Sequence, residues 1–288
     1  MRHYILYNPL AGNGSHESNL KELCASFGED TQLCDITEIK SYSDFLLALS
    51  PDDVLVIAGG DGTLNRFVND TDGLDIENEV LYLATGSGND FLRDIDGEDG
   101  SRPFRINEYI KDLPTVEVAG KAHRFINGVG YGIDGYCCEV GDKQRATSKK
   151  PVNYTAIAIK GLLFHFKPRA AVVTVDGVEY KYDKVWIAPT MNGRFYGGGM
   201  MTTPKQDRLR HDGKVSLMVF HGTGSLRTLM IFPSIFKGEH VKHTEVVAIH
   251  EGSEISVRFD KPTPLQIDGE TVLGVTEYKV SAKSRVKA

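Results

Sequence analysis

No run of apolar residues in this chain approaches the roughly 20 that a membrane-spanning helix needs. The short stretch from Met1 to Pro9 meets Asn8-Pro9 too early to be a secretory signal. Zinc motifs are missing as well: the four cysteines, Cys24, Cys34, Cys137 and Cys138, form no CxxC pair, and there is no HExxH. Adjacent Cys137 and Cys138 are poorly placed to bridge each other. The thiols are therefore expected to be buried or free in a reducing, cytoplasmic setting. Positive charge is in deficit, with 33 Lys and Arg against 39 Asp and Glu, a net −6. Such a surface repels nucleic-acid phosphate and argues against a general DNA or RNA binder. A GxxxxGK[ST] nucleotide loop, a fixed-period repeat and a low-complexity linker are also absent.

What is present suits two domains: 288 residues, 41% hydrophobic and 25% charged. The first third alternates strand-like and helix-like segments: His3 to Tyr7, Asn19 to Phe27, Val54 to Ala58, Leu64 to Val68 and Val80 to Ala84. That order predicts an α/β domain of βαβ units around a parallel, Rossmann-like sheet. From about Thr115 the pattern becomes alternating strands with glycine turns: Thr115 to Val118, His123 to Val129, Ala171 to Val175, Val185 to Ala188, Val215 to Phe220, Glu245 to Ile249, Glu254 to Phe259 and Tyr278 to Val280. An antiparallel β-sandwich follows from that texture. The boundary is expected near Leu113-Pro114, giving domains 1–114 and 115–288, with the last few residues free to return to the first domain.

The segment Lys143 to Arg169 holds seven cations and no Asp or Glu. Within it Tyr154, Ile157, Leu162 and Phe166 suit a helix with a broad apolar face. Two readings stay open: a helix packed on the sandwich with solvated basic ends, or a surface that meets anionic lipid headgroups.

Three glycine-rich turns stand out. Val54-Leu55-Val56-Ile57-Ala58 runs into Gly59-Gly60-Asp61-Gly62-Thr63 and then a helical pattern, so free backbone amides at a helix N-terminus are presented to an anion, with Thr63 as a candidate cap. A second turn, Asn8 to Ser15, follows the first strand, and a third, Thr85 to Phe91, follows the Val80 to Ala84 strand. In an open parallel sheet such turns lie together at the strands' carboxyl ends and can converge on one polyphosphate. Gly128, Gly130 and Gly132 imitate half a dinucleotide fingerprint, but the spacing is wrong and no helix is expected after it.

Together Asn8-Pro9, Gly59-Gly60-Asp61-Gly62-Thr63, Gly86-Ser87-Gly88-Asn89-Asp90-Phe91, Asn192 with Gly197-Gly198-Gly199-Met200, Pro204 with Asp212-Gly213, and Asp268-Gly269-Glu270 resemble the diacylglycerol kinase catalytic family. The likeness is to its soluble bacterial lipid kinases, with sphingosine kinases further off and NAD kinases sharing the GGDGT element. The motifs run in family order over nearly the whole chain. The resemblance implies a nucleotide-binding α/β domain followed by a β-sandwich domain, with ATP and acceptor meeting in the cleft between them. It further implies that Gly59, Gly60, Asp61, Gly62, Thr63, Leu64, Asn65 and Ser87 line the ATP phosphates, with Asn8 shaping the first turn and Thr37 a further nucleotide contact. Family members are often homodimers.

Pro264 to Glu270 reads as a strand ending in an Asp-Gly hairpin turn. By resemblance, Asp268 is the proton acceptor for the attacking hydroxyl and Glu270 a neighbouring acid that orients it or a magnesium ion. Phosphoryl transfer needs in-line positioning, charge neutralisation and such an acceptor. Mg²⁺ is expected with ATP because the triphosphate enters a site already holding Asp61 and Asp268. The family also carries a structural magnesium, which maps onto Asp212 and the carbonyls of Leu209 and Lys214; the other reading of Asp212-Gly213 is a plain turn. Two departures stand out: Arg66 replaces an acid on the helix after GGDGT, and Asn13 to His16 lacks the cation common after the first glycine. The sequence thus reads as an ATP-dependent kinase of diacylglycerol or a related lipid at a membrane surface. The alternatives are an NAD kinase or a catalytically impaired nucleotide- or lipid-binding regulator of the same fold.

Overall fold

The computed structural model describes residues 1–9, 23–24, 27–86, 88–95, 100–148 and 152–282. The chain forms two compact units, Met1–Lys111 and Asp112–Ala288. The first is built on strands β1 (His3–Tyr7), β2 (Thr31–Asp35), β3 (Val54–Gly59), β4 (Glu79–Ala84) and β5 (Phe104–Arg105), in the order β2-β1-β3-β4-β5. The first four are parallel and β5 runs antiparallel to β4. Every residue of the central β3 is buried, as expected of a strand covered on both faces. Helices α1 (Tyr42–Leu47), α2 (Asp61–Asp70), α3 (Asp90–Asp94) and α4 (Asn107–Lys111) complete the unit. Helix α2 buries Leu64, Phe67 and Val68, three positions on one helical face. Each such side chain contributes about 1.5–3 kcal/mol.

In the second unit every strand pairing is antiparallel. Its early elements are β6 (Thr115–Val118), β7 (Lys121–Arg124), β8 (Gly128–Tyr131), α5 (Ile133–Thr147), and α6 (Tyr154–Lys160) running into a π turn at Gly161–His165. Then come β9 (Arg169–Val175), β10 (Val178–Val185), β11 (Thr190–Met191), β12 (Phe195–Tyr196), β13 (Met200–Met201) and β14 (Val215–Phe220). Helix α7 (Ser225–Ile231) continues as a 3-10 turn, Phe232–Lys237, and the unit ends with β15 (Val247–Gly252), β16 (Glu254–Ile267) and β17 (Glu270–Ser281). Strand β16 organises the sheet: its first half pairs β9 through Ile255–Phe259, its second half pairs β8 through Leu265–Ile267, and β17 follows it along most of its length. The sheet turns along this strand and wraps a core that includes Tyr131, Val173, Phe259, Leu265 and Tyr278. Tyr131 and Phe259 stack with ring centroids 4.0 Å apart. A second core, under α5, α6 and α7, gathers on Trp186 and Phe220.

Several expectations need correction. The helix over Asn19 to Phe27 falls mostly outside the described residues; Leu23, Cys24 and Phe27 are helical. The single strand over His123 to Val129 is two strands, β7 and β8, because the amides of Ile126, Asn127 and Gly128 all turn to one carboxylate, that of Asp268. Of the strand expected over Val185 to Ala188, only Val185 is in a strand, as the last residue of β10, and Ile187 forms isolated bridges to Gly132 and Phe220. Strands β16 and β17 are far longer than the segments expected from alternation. A helix, α5, does follow Gly128 to Gly132, contrary to expectation, but its strand lies in the antiparallel sheet. The glycines there serve packing: a Cβ on Gly130 would collide with the Asp134 carboxylate, and one on Gly135 with the Pro264 carbonyl. The one helix expected within Lys143 to Arg169 is instead the end of α5, then α6 with its π turn, with 149–151 outside the described residues. The last few residues, 283–288, also lie outside them.

Candidate nucleotide and acceptor sites

In the first unit, two of the three glycine turns meet. A Cβ on Gly86 would stand 2.5 Å from the Cα of Gly60, and one on Gly60 would stand 3.1 Å from the Cα of Gly86. The turns after β3 and β4 therefore pass backbone to backbone, an approach only glycine permits. Thr85 N donates to Gly59 O at 2.9 Å, and the Asp61 carboxylate accepts Asp90 N and Phe91 N, both at 2.9 Å. Asp61 thus caps α3, whose own N-cap residue, Asn89, sits in the left-handed region at φ +50 and offers no side-chain cap.

Helix α2 starts three residues before the expected Leu64. Its N-cap is Gly60 and no side chain caps it, which corrects the expectation for Thr63. Thr63 sits in the first turn, buried, with its side chain where a Cβ of Gly59 would go. First-turn amides of an uncapped helix lack intrahelical acceptors and carry the positive end of its dipole. Gly62 opens onto space, with nothing within 4 Å of a would-be Cβ. Leu64 is fully buried and Asn65 nearly so; Asn65 accepts the Asn69 side-chain amide at its carbonyl. Gly60 and Gly86 bring two backbones together at the start of α2, with the Asn89 side chain beside Gly86. Two polar atoms, Thr85 Oγ1 and Asn89 Oδ1, are buried there with no partner among the described residues. Neither was picked out individually from sequence, although both lie in the third turn.

Arg66 forms an i,i+4 ion pair with Asp70, Nε to Oδ2 3.2 Å, along the helix surface. Thr37 donates its amide and hydroxyl to Asp35 Oδ1 at 2.7 and 2.6 Å, an exposed Asx turn after β2. Asn8 follows β1, half-buried. Ser87 and residues 10–22, the rest of the first turn, lie outside the described residues.

In the second unit, Asp268 and Gly269 have φ +46 and +94 and join Ile267 to Glu270. These two positive angles make the tight hairpin that Asp-Gly favours. The same Asp268 reaches back across the chain: Oδ2 accepts Ile126 N at 2.5 Å, and Oδ1 accepts Asn127 N at 2.8 Å and Gly128 N at 2.9 Å. Hairpin turn and functional carboxylate are thus compatible readings of one residue. Glu270 is exposed at the start of β17. Sequence reading passed over Asp134, a buried carboxylate in the first turn of α5. Burial, and next the charge of Asp134, push the phenol of buried Tyr196 well above its ordinary range. Burial and the same charge push the Cys137 thiol up to about 12, so it is inert as a nucleophile at neutral pH. All four cysteines are free thiols.

The residues expected to hold structural magnesium do not fit it. Asp212 is clamped by Arg210, Nε to Oδ1 2.6 Å and Nη2 to Oδ2 3.1 Å, and the guanidinium also reaches Glu251 Oε2 at 2.9 Å and Gln206 Oε1 at 3.0 Å. Hydrogen bonding to Arg210 holds the Asp212 carboxyl below its usual range. The Lys214 carbonyl already accepts Gln206 Nε2 at 3.0 Å, and Leu209 donates its amide to Asp207 Oδ1 at 2.8 Å. Both oxygens of Asp212 are thus already engaged by one guanidinium. Among the described residues no group of three or more His, Cys, Asp or Glu side chains is arranged for a metal, and no helix is long and apolar enough to cross a membrane.

Comparison with known proteins agrees with this division. Residues 2–115 match the diacylglycerol kinase catalytic domain, and residues 127–283 match the YegS C-terminal NAD kinase beta sandwich-like domain. A diacylglycerol kinase of Bacillus subtilis is 22% identical over 288 residues, spanning 92% of this chain and 88% of that protein. A diacylglycerol kinase of Mycobacterium tuberculosis H37Rv is 26% identical over 202 residues, 67% of this chain and 63% of that one. In fold, the crystal structure of a diacylglycerol kinase from Bacillus anthracis Sterne superposes with a TM-score of 0.59 at 18% identity, covering 98% of this chain and 94% of that one. With the YegS C-terminal NAD kinase beta sandwich-like domain matched over more than half of its length, the chain belongs to that family, and the diacylglycerol kinase catalytic domain matches the residues before it.

Proposed function

We propose that this protein is an ATP-dependent lipid kinase that transfers the γ-phosphoryl group to a hydroxyl of diacylglycerol or a related lipid, in the cytoplasm at a membrane face. The observation that carries the reading is the close passage of Gly60 against Gly86 beside the uncapped first turn of α2. A glycine-walled turn at an uncapped helix N-terminus suits a phosphate chain. The backbone of Gly59 to Thr63 would hold the triphosphate. Asp61, the one acid in that loop, spends both carboxylate oxygens on α3 amides, which offsets its repulsion of phosphate.

Magnesium bound to the triphosphate would neutralise its charge, and such an ion needs only one or two protein carboxylates besides the phosphates. Asp268 would orient the acceptor hydroxyl and take its proton. Three amide donors hold its carboxylate in one orientation. A loose phosphoryl-transfer transition state asks little of the base, so orientation is the larger part of its task. Glu270, exposed two residues on, would assist from the turn.

Label transfer from γ-phosphate-labelled ATP into a lipid panel of diacylglycerols and sphingoid bases, with NAD as a further acceptor, tests the reading. Label in a lipid product that disappears in Asp268→Asn supports it, and label in NAD alone overturns it in favour of the NAD kinase reading. ATP binding by calorimetry with no transfer to any acceptor would identify a regulator instead. Arg66, which motivated that last reading, is paired with Asp70 on the helix surface.

A further inference from the structure

Two short helical elements of the second unit bury one face and leave the other apolar and exposed. In α6 and its π turn, Ile157 and Leu162 are buried while Ile159 and Phe164 are 42% and 75% exposed. In α7 and its 3-10 turn, Ile231 and Ile235 are buried while Leu226, Met230 and Phe236 are 72%, 74% and 47% exposed. Leu226 and Met230 lie four residues apart, on one helical face. The π turn packs against α7, and the buried residues of both elements enter the same core. Scattered exposed apolar residues are ordinary; five large ones on two packed elements form a patch of the kind that marks an interface.

Charge selects the occupant. Residues 152–169 and 224–238 carry five cations and no Asp or Glu, in a chain of net charge −6. Lys160, Lys167 and Lys237 are exposed and enter no ion pair among the described residues, while Arg227 pairs with Glu245. By contrast Lys143 and Arg145, on α5, are neutralised by Glu139 and Asp142. The usable positive charge therefore lies around the apolar patch and not along α5. A cavity of about 340 Å³ adjoins it, walled in part by Val140, Ala156 and Ile157, with Lys160 and His165 among its lining. Apolar side chains flanked by unpaired lysines match a bilayer, which offers acyl chains beneath anionic headgroups.

We propose that α6, its π turn and α7 form a docking surface for an anionic lipid bilayer, with Phe164, Leu226 and Met230 entering the acyl region and Lys160, Lys167 and Lys237 meeting the headgroups. The assignment rests on the lipid-kinase reading only in taking the membrane as the home of the acceptor. It moves the contact from the whole Lys143 to Arg169 segment to the α6–α7 face.

The test is flotation of the full chain with vesicles of equimolar phosphatidylcholine and phosphatidylglycerol, without ATP or diacylglycerol, so that binding is read apart from turnover. Phe164→Ser/Leu226→Ser/Met230→Ser should weaken binding at least about tenfold, with unchanged circular dichroism. Lys160→Glu/Lys167→Glu, a surface change that leaves the core alone, should weaken it by more than about tenfold and abolish its salt sensitivity. Wild-type binding by both variants, or equal binding to pure phosphatidylcholine, overturns the proposal. So does a sedimentation shift from dimer to monomer in the triple serine variant without vesicles, which would make the patch a contact between copies of this chain. Phosphorylation of a short-chain diacylglycerol dispersed in detergent is measured in parallel. Loss of vesicle binding with no kinase activity in any form would uphold the docking surface and remove the kinase reading; retained detergent-phase activity with wild-type vesicle binding does the reverse.

Discussion

The Asp61 carboxylate accepts the amides of both Asp90 and Phe91 at 2.9 Å, so one acid of the loop after β3 serves as the cap of the helix after β4. Two segments some thirty residues apart in sequence are thereby fixed as one surface. Asp61→Ala should fray α3 and cost about 1–2 kcal/mol, the range for losing a helix cap. Hydrogen exchange would report it as faster exchange confined to the Asp90 and Phe91 amides and their neighbours. Unchanged protection there would mean the cap contributes nothing.

The close passage of Gly60 and Gly86 makes a sharper prediction when paired with its open neighbour. Gly86→Ala places a Cβ 2.5 Å from a backbone carbon and must push the two turns apart. Its thermal midpoint should fall and its apparent ATP affinity should drop by about tenfold or more, as expected when positioning is lost. Gly62→Ala meets nothing within 4 Å and removes a glycine from a helix. It should raise stability by up to about 1 kcal/mol. Because that added methyl points into open space in the proposed phosphate loop, its KM for ATP should rise even as the fold tightens. If both alanines simply lower stability and leave KM alone, the loops are structural only.

Much of this was legible in the sequence, and the illegible parts share a physical cause. The buried run Val54 to Ala58 could only be a central strand, and the glycines after it announced a turn where backbone must come close. Alternation located several strands of the second unit but not their lengths, and it passed over most of β10 and the short strands β11, β12 and β13. A strand such as β16 changes partners from β9 to β8 midway, and the sequence carries no mark of that exchange. The spacing of Gly128, Gly130 and Gly132 argued against a dinucleotide loop but could not say what the glycines were for, because the groups that fill the missing Cβ positions of Gly130 and Gly135, Asp134 and Pro264, are revealed only by tertiary packing. The break between β7 and β8 was likewise invisible, since its cause sits some 140 residues away at Asp268. Family resemblance supplied the motifs and proposed a cation at Asp212, but it could not show that Arg210 bonds that carboxylate.

A histidine pair gives the second unit a pH dependence. Burial lowers the pKa of His221 and of His250, for the latter with the charge of His221 as a lesser cause. Tyr182 bridges them: its hydroxyl is 2.6 Å from His250 Nε2 and its ring centroid is 4.5 Å from that of His221. As pH falls below the ordinary value of 6.5, the unfolded chain takes up protons before the folded one does. The contribution of these neutral imidazoles is complete above that value and is lost progressively below it, until the folded-state histidines also titrate. The midpoint of urea unfolding should therefore decline from neutrality toward pH 5, and His250→Gln should flatten that decline. An identical slope in wild type and variant would assign the acid sensitivity elsewhere.

Arg210 ties Asp212, Glu251 and Gln206 into one cluster around a side chain only 19% exposed, in place of a bound ion. Its removal would leave two carboxylates without their shared cation, a loss of about 1–3 kcal/mol for a partly buried network. At about 2–4 °C per kcal/mol for a unit of this size, Arg210→Met should lower the thermal midpoint measurably. Chelation of divalent cations should leave the wild-type midpoint unchanged, since the positive charge is built into the chain. In the variant the paired carboxylates become a better site for a hard cation, so millimolar magnesium should recover part of the lost stability there and nowhere else. A wild-type midpoint that falls on chelation and rises again with magnesium would return the ion to Asp212 and displace the arginine from that role.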